Sequence, residues 1–158
     1  MMGKIIDILI ANNAKESLFQ IEEAQIIKNK GIVGDRYFNE VGSFSQKLKE
    51  KNDFHVTLIE QEEIDSFNRL TNLNYNNKLF RRNLVTKGIK LNYLVGKKFK
   101  INGVVLVGMR LCEPCQMLSE ELGEEFLNKM IHKSGLRAKV IESGDIKVGD
   151  TIHEFRTT

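Results

Sequence analysis

The chain is poor in the residues that would mark several protein classes at once. It has two cysteines and one proline in 158 residues, and no internal repeat or low-complexity tract. Two cysteines are too few for a disulfide scaffold, and Cys112 and Cys115 are too close in sequence for an ordinary structural bridge. No stretch approaches the roughly 20 unbroken apolar residues of a membrane helix. The start, MMGKIIDILIANN, alternates into polar residues without a small-residue cleavage site, so it reads as a first strand rather than an export signal. A soluble protein of the reducing cytoplasm is expected. Charge of one sign is also lacking. The net charge is +3 from 24 basic and 21 acidic residues, with lysines scattered along the chain, which speaks against a nucleic-acid partner.

What is present is enough apolar residue for a core, 41% beside 28% charged, and a length suited to one domain spanning 1–158. Short β-branched or alternating runs predict strands at 5–10, 24–27, 54–59, 83–86, 98–101, 104–109, 137–141 and 150–153. Asn102-Gly103 between two of these runs is a strong hairpin signal. Glycines 88, 96, 144 and 149 fall at strand-plus-turn intervals. Two segments have helical spacing with acids leading and bases trailing, 61–73 and 115–132, the second open to interruption at Gly123. The polar stretch 37–53 reads as a long loop able to close over a ligand. The fold class is therefore mainly β, barrel-like, with two or so peripheral helices.

Three sequence features can carry chemistry, and a fourth region stands beside them. Cys112-Glu113-Pro114-Cys115 runs from the end of a strand into a predicted helix, where N-terminal amides favour a thiolate at Cys115. A thioredoxin-like redox pair would require a βαβ setting, and a zinc site would require histidines at finger spacing, which His55, His132 and His153 do not have. Two buried cysteines acting as small hydrophobes remain a third reading. In Phe80-Arg81-Arg82-Asn83, the arginine forks suit phosphate and the amide suits a heterocycle edge, although a solvated pair of arginines explains the same letters. Gly31-Ile32-Val33-Gly34-Asp35-Arg36 is a turn able to present backbone N–H groups and Arg36 to an anion, or simply a tight turn with a surface ion pair. The fourth region, 135–138 and 144–150, reads as architecture, its glycines setting turns around a strand. His55 is expected to be a packed or partly exposed strand residue rather than a base.

Taken in order, GIVGDRY at 31–37, FRRNLVTKGIKLNYLVGKKFKING at 80–103, RLCEPCQML at 110–118 and GLRAKVIESGDIKVGDTI at 135–152 resemble the MOSC family, the molybdenum cofactor sulfurase C-terminal domain. The resemblance spans nearly the whole chain. It implies a β-barrel-like fold and binding of a molybdopterin-type cofactor. Cys115 matches the family's molybdenum ligand or sulfur-handling residue, Arg81 and Asn83 match its phosphate- and pterin-contacting pair, Arg36 matches its GDR turn, and Arg82, where relatives vary, is counted with them as cofactor-binding. The implied pocket is lined by Cys115, Arg81 and Asn83. The chain has no room for the aminotransferase-like domain of the sulfurases, so pyridoxal phosphate is not expected. Three functions remain open: reduction of N-hydroxylated compounds with electrons from a separate redox partner, a cofactor or sulfur carrier serving a molybdoenzyme, and an interaction domain without cofactor. The two cysteines are expected to be unequal, Cys115 being the reactive thiolate and Cys112 ending the strand as packing or at most a resolving thiol.

Overall fold

The computed structural model describes residues 1–39, 55–114, 120 and 125–155. Its first strands are β1 (Met2–Ile10), β2 (Phe19–Gln20), β3 (Glu23–Ile27), β4 (Gly31–Ile32) and β5 (Val56–Glu60). Helix α1 (Gln61–Thr71) and a 3-10 turn, Asn77–Phe80, lead to β6 (Leu84–Lys87), and a second such turn, Leu91–Leu94, leads to β7 (Lys98–Ile101). β8 (Val104–Leu111), α2 (Glu125–Lys129), β9 (Leu136–Glu142), β10 (Gly144–Lys147) and β11 (Thr151–Glu154) follow.

Seven strands close into a barrel in the order β11-β7-β8-β9-β5-β6-β1, sealed by β1 pairing with β11. Closure leaves no open sheet edge around the ring. β2 adds to the far end of β1, and β10-β3-β4 form a separate small sheet whose Ala24, Ile26, Ile32 and Ile146 join the barrel core. Only β5 and β6 are parallel neighbours in the ring. A parallel pair cannot be joined by a hairpin, and the crossover is supplied by α1 and the Asn77–Phe80 turn.

That crossover explains why β5 is buried along its whole length. Val56 and Leu58 face the barrel interior with Ile8, Leu84, Leu106 and Leu136, while Ile59 faces a second cluster beneath the helices. In that outer cluster Phe67 of α1 meets Phe80 and Phe126 edge-on, each at 5.7 Å between ring centroids. Full burial of such rings contributes on the order of 2–3 kcal/mol each, so the helices are held by aromatic packing rather than by their own propensity.

Most predicted strands are found within two or three residues, and the Asn102-Gly103 turn joins β7 to β8 with Ile101 opposite Val104. Helix α1 ends at Thr71, two residues before the expected end, because Asn72 adopts φ 57° and donates its amide to the Arg69 carbonyl. α2 likewise stops at Lys129 rather than His132, which has φ 61°. The expected start of that helix at Cys115, the break at Gly123 and the loop 40–53 lie outside the described residues. One expectation is corrected outright: Gly144–Lys147, read as turn architecture, is strand β10, paired with β3 through Gly144 opposite Ile26. No helix among the described residues is long and apolar enough to cross a membrane.

Glu60 ends β5 and stands at the start of α1 without capping it by its side chain. Its Oε2 instead accepts from the Leu91 amide at 3.3 Å. Burial pushes this carboxyl above the ordinary glutamate value, with Glu63 and Glu62 adding to the rise against the pull of the Leu91 amide and Lys90. The folded state therefore holds the proton more tightly than the unfolded chain. Its contribution to stability is full below the ordinary pKa and is lost as pH rises through the raised one. Glu60→Gln is expected to leave the chain at least as stable at neutral pH and to flatten the fall in melting temperature as pH rises above the ordinary glutamate value, as followed by circular dichroism. An unchanged slope would remove Glu60 as its source.

Candidate functional site

The turn after β4 is built around a carboxylate that the sequence does not advertise. Asp35 is fully buried, and its Oδ1 accepts from the Ala11 amide at 3.1 Å and from Arg36 Nη1 at 3.0 Å, while Oδ2 accepts from the Tyr37 amide at 3.2 Å. The Asp35–Arg36 pair is thus an interior ion pair, not the surface pair expected of a tight turn. A buried carboxylate is tolerated when charge and hydrogen bonds both meet it. Arg36, only 3% exposed, lays its guanidinium 4.5 Å from the centre of the Tyr37 ring and donates from Nη2 to the Arg81 carbonyl at 3.2 Å.

Arg81 has φ 60°, ending the Asn77–Phe80 turn, and its Nη1 donates to the Glu16 carbonyl at 2.7 Å. That bond draws the 15–18 segment against the turn. Between them lies a cleft of about 220 Å³ lined by Lys15, Ser17, Asn76, Lys78 and Arg81, with Leu18 and Leu79 beneath. Three cations and, among the described residues, no acid line it. Such a lining suits a phosphate-bearing anion. Lys15 and Lys78 could not be picked out from sequence, since neither sits in a motif and they meet only across the Arg81–Glu16 link.

Arg82 points elsewhere. Buried to 7% exposure, it donates from Nε to the Ser134 carbonyl at 2.8 Å, so the solvated arginine pair is not what forms here. Asn83 is fully buried, its Oδ1 accepting from the Thr57 amide and hydroxyl, both at 3.1 Å, and its Nδ2 donating to the Leu9 carbonyl at 3.1 Å. It ties β1, β5 and β6 together and does not line the basic cleft. His55 is buried just ahead of β5, with Nδ1 accepting from the Val140 amide at 3.1 Å.

The Ser134 contact leads to the cysteines. Cys112 is buried at the end of β8 as a free thiol, and its amide donates to the Gly135 carbonyl at 2.8 Å. The next residue, Glu113, grips His132 twice, accepting from its amide at 2.8 Å and meeting its Nδ1 at 2.9 Å. Arg36, Arg81, Arg82, the Ser134-Gly135 turn and the Cys112-Glu113 segment therefore form one continuous run of contacts. Cys115 lies outside the described residues, so its place relative to Arg81 is not part of this geometry. Among the described residues no group of three or more His, Cys, Asp or Glu side chains is placed to hold a metal ion.

The architecture has solved counterparts. The chain is similar to the YuaD protein from Bacillus subtilis, with a TM-score of 0.82 at 19% identity over 99% of this chain and 98% of that one. It also matches YiiM from Escherichia coli, at TM-score 0.68 and 16% identity, over the full length of this chain and 71% of that one. YiiM from Geobacillus stearothermophilus matches at TM-score 0.70 and 13% identity, over 99% of this chain and 76% of that one. At these identities the likeness is one of fold. No curated protein matches the sequence. A family model described as MOSC domain matches residues 45–153, the stretch that carries the Arg81-Arg82-Asn83 strand entry, the two cysteines and six of the seven barrel strands; the chain belongs to the MOSC domain family.

Proposed function

We propose that this chain binds a molybdopterin-type cofactor, with the cofactor's phosphate in the cleft of Lys15, Ser17, Lys78 and Arg81 and with Cys115 as molybdenum ligand or sulfur-handling residue. The observation that carries the reading is the cleft lined by three cations, in a family generally linked to the molybdenum cofactor. The residues fit the group. A phosphate monoester carries up to two negative charges and accepts several hydrogen bonds, and Arg81, two lysines and a hydroxyl supply matching donors.

Arg36, Arg82 and Asn83 serve this site as positioning residues. Arg36 holds the carbonyl of Arg81, Arg82 holds the turn against which Cys112 is pinned, and Asn83 fixes the strand entry between them. When bound, the cofactor supplies a redox-active molybdenum, which suits reduction of N-hydroxylated compounds with electrons from a separate protein. The second reading, a non-catalytic carrier that passes cofactor or sulfur to a molybdoenzyme, uses the same binding residues without turnover.

Chain produced in a cofactor-making host is expected to carry near-stoichiometric molybdenum by elemental analysis. Cys115→Ser is expected to lose it, Arg81→Ala to weaken retention by about tenfold or more, and Cys112→Ser to retain it, because Cys112 is a buried thiol at the strand end. Equal loss from both cysteine variants would replace the single-ligand assignment with a two-thiolate site. Turnover of a hydroxylamine with an artificial donor separates enzyme from carrier. A chain that never takes up molybdenum overturns the proposal.

A further inference from the structure

The tip of the β7–β8 hairpin holds the only Asn-Gly pair in the chain, Asn102-Gly103, and both residues are exposed. Gly103 lies outside the strand ladder, which pairs Ile101 with Val104, and a Cβ built on it would meet nothing within 4 Å. Asn102 stands at φ 52°, in the left-handed region. Its side chain is also a fastening. Nδ2 donates at 2.9 Å to the carbonyl of Asp145 in β10. The tip sits closely on that strand, since a Cβ on Gly144 would stand 3.1 Å from Val104 Cγ2 and 3.4 Å from the Gly103 carbonyl carbon. β10 belongs to the small sheet with β3 and β4, so the Asn102 bond ties the barrel wall to a separate layer.

An asparagine carboxamide is open to attack by the backbone nitrogen of the next residue, because the two are held within one five-membered ring of each other. A following side chain hinders that ring closure. Glycine carries none and lets the backbone turn freely, which makes an exposed Asn-Gly pair the most labile setting for an asparagine. Here the labile amide and the structural hydrogen bond share one atom. Nδ2 of Asn102 is the donor to Asp145 and is also the nitrogen that such a reaction expels.

We propose that Asn102 is a site of spontaneous conversion to aspartyl and isoaspartyl residues, and that this conversion unfastens the hairpin tip from β10. The Gly103 amide gives its proton to solvent base, and its nitrogen attacks Asn102 Cγ. The new N–Cγ bond forms as the Cγ–Nδ2 bond breaks, and Nδ2 takes up a proton and leaves as ammonia. Water then opens the cyclic imide, at one carbonyl to give aspartate and at the other to give isoaspartate. No oxidant or reductant is consumed. Either product exchanges an N–H donor for a carboxylate, which only accepts, opposite the Asp145 carbonyl, which also only accepts. Isoaspartate further lengthens the turn by a methylene where Gly144 leaves little slack.

Incubation of the native full chain at mildly alkaline pH, beside a sample unfolded in urea, tests this by mass spectrometry of the tryptic peptide 101–110 and enzymatic methylation of isoaspartate. Asn29 and Asn72 are internal references, because both have positive φ, 62° and 57°, but precede Lys30 and Leu73. In the native chain Asn102 is expected to convert at least about tenfold faster than either, and Gly103→Ala to slow it by about tenfold. Asn102→Asp, which reproduces one product, is expected to lower the melting temperature by about 2–4 °C, the effect of one lost hydrogen bond in a domain this size. Conversion in urea without conversion in the native chain overturns the proposal, because a shielding turn would give that result. So does conversion of Asn29 or Asn72 at the rate of Asn102. An Asn102→Asp chain that melts with the unaltered one overturns the unfastening. None of these measurements involves the cofactor cleft, so they stand or fall separately from molybdenum retention.

Discussion

Asp35→Ala is expected to lower the free energy of unfolding by about 3–5 kcal/mol, a large part of the total stability of a domain this size. The substitution removes the acceptor for two backbone amides, Ala11 and Tyr37, and strands the Arg36 guanidinium at 3% exposure without a counter-charge. The second effect is the larger, because an unpaired buried charge costs more than a lost neutral hydrogen bond. A double variant makes the two separable. Asp35→Ala with Arg36→Met is expected to be more stable than Asp35→Ala alone, since it removes the stranded charge and leaves an apolar chain of similar length. Urea denaturation of the three proteins measures this. A loss below about 1 kcal/mol for Asp35→Ala would mean that the turn relaxes to admit water.

Gly135→Ala is expected to be comparably damaging by a different route. Gly135 has φ 108°, and a Cβ there would overlap the Leu58 carbonyl oxygen while standing 3.0 Å from its carbon. Both obstacles are backbone in the middle of the barrel wall and cannot turn aside. Strain at an unfavourable φ together with steric overlap costs about 3 kcal/mol or more, enough to reduce soluble yield as well as melting temperature. Displacement of the turn would also break the Cys112 amide from Gly135 and the Arg82 Nε from Ser134. Gly103→Ala serves as the control, because a Cβ there meets nothing within 4 Å, and its effect is expected to stay within about 1 kcal/mol. Equal melting temperatures for the two variants would show that the close approach at Gly135 is not what matters.

Legibility in the sequence followed the range of each interaction. The Asn102-Gly103 hairpin was readable because everything that fixes it lies within ten residues. β10 was not, because Gly144–Lys147 buries one apolar side chain, Ile146, and owes its strand form to β3 at the other end of the chain. The site residues divide the same way. Arg81, Arg82 and Asn83 were recognisable as a group from their spacing, yet their separate tasks depend on Glu16, Ser134 and Thr57, distant carbonyls and a hydroxyl that no local pattern announces. Asp35 and Arg36 looked like a surface pair because letters alone carry no burial.

The seam that closes the barrel gives the chain an order of events during synthesis. β1 is made first, yet both of its barrel neighbours come late: β6 after some 80 residues, and β11, which pairs through Met2 opposite His153, only at the far end of the described chain. Until β6 is made both of these edges of β1 are open, one stays open until β11, and Ile5 and Ile8 have no closed interior to enter. A nascent chain therefore carries an exposed, strand-forming segment for nearly the whole of its translation, with the ring unable to shut until the last strand leaves the ribosome. Asp7, Lys4 and the bulge between Ile5 and Asp7 interrupt that segment with charge and irregular pairing, features that discourage strand addition by a neighbouring chain in the interval.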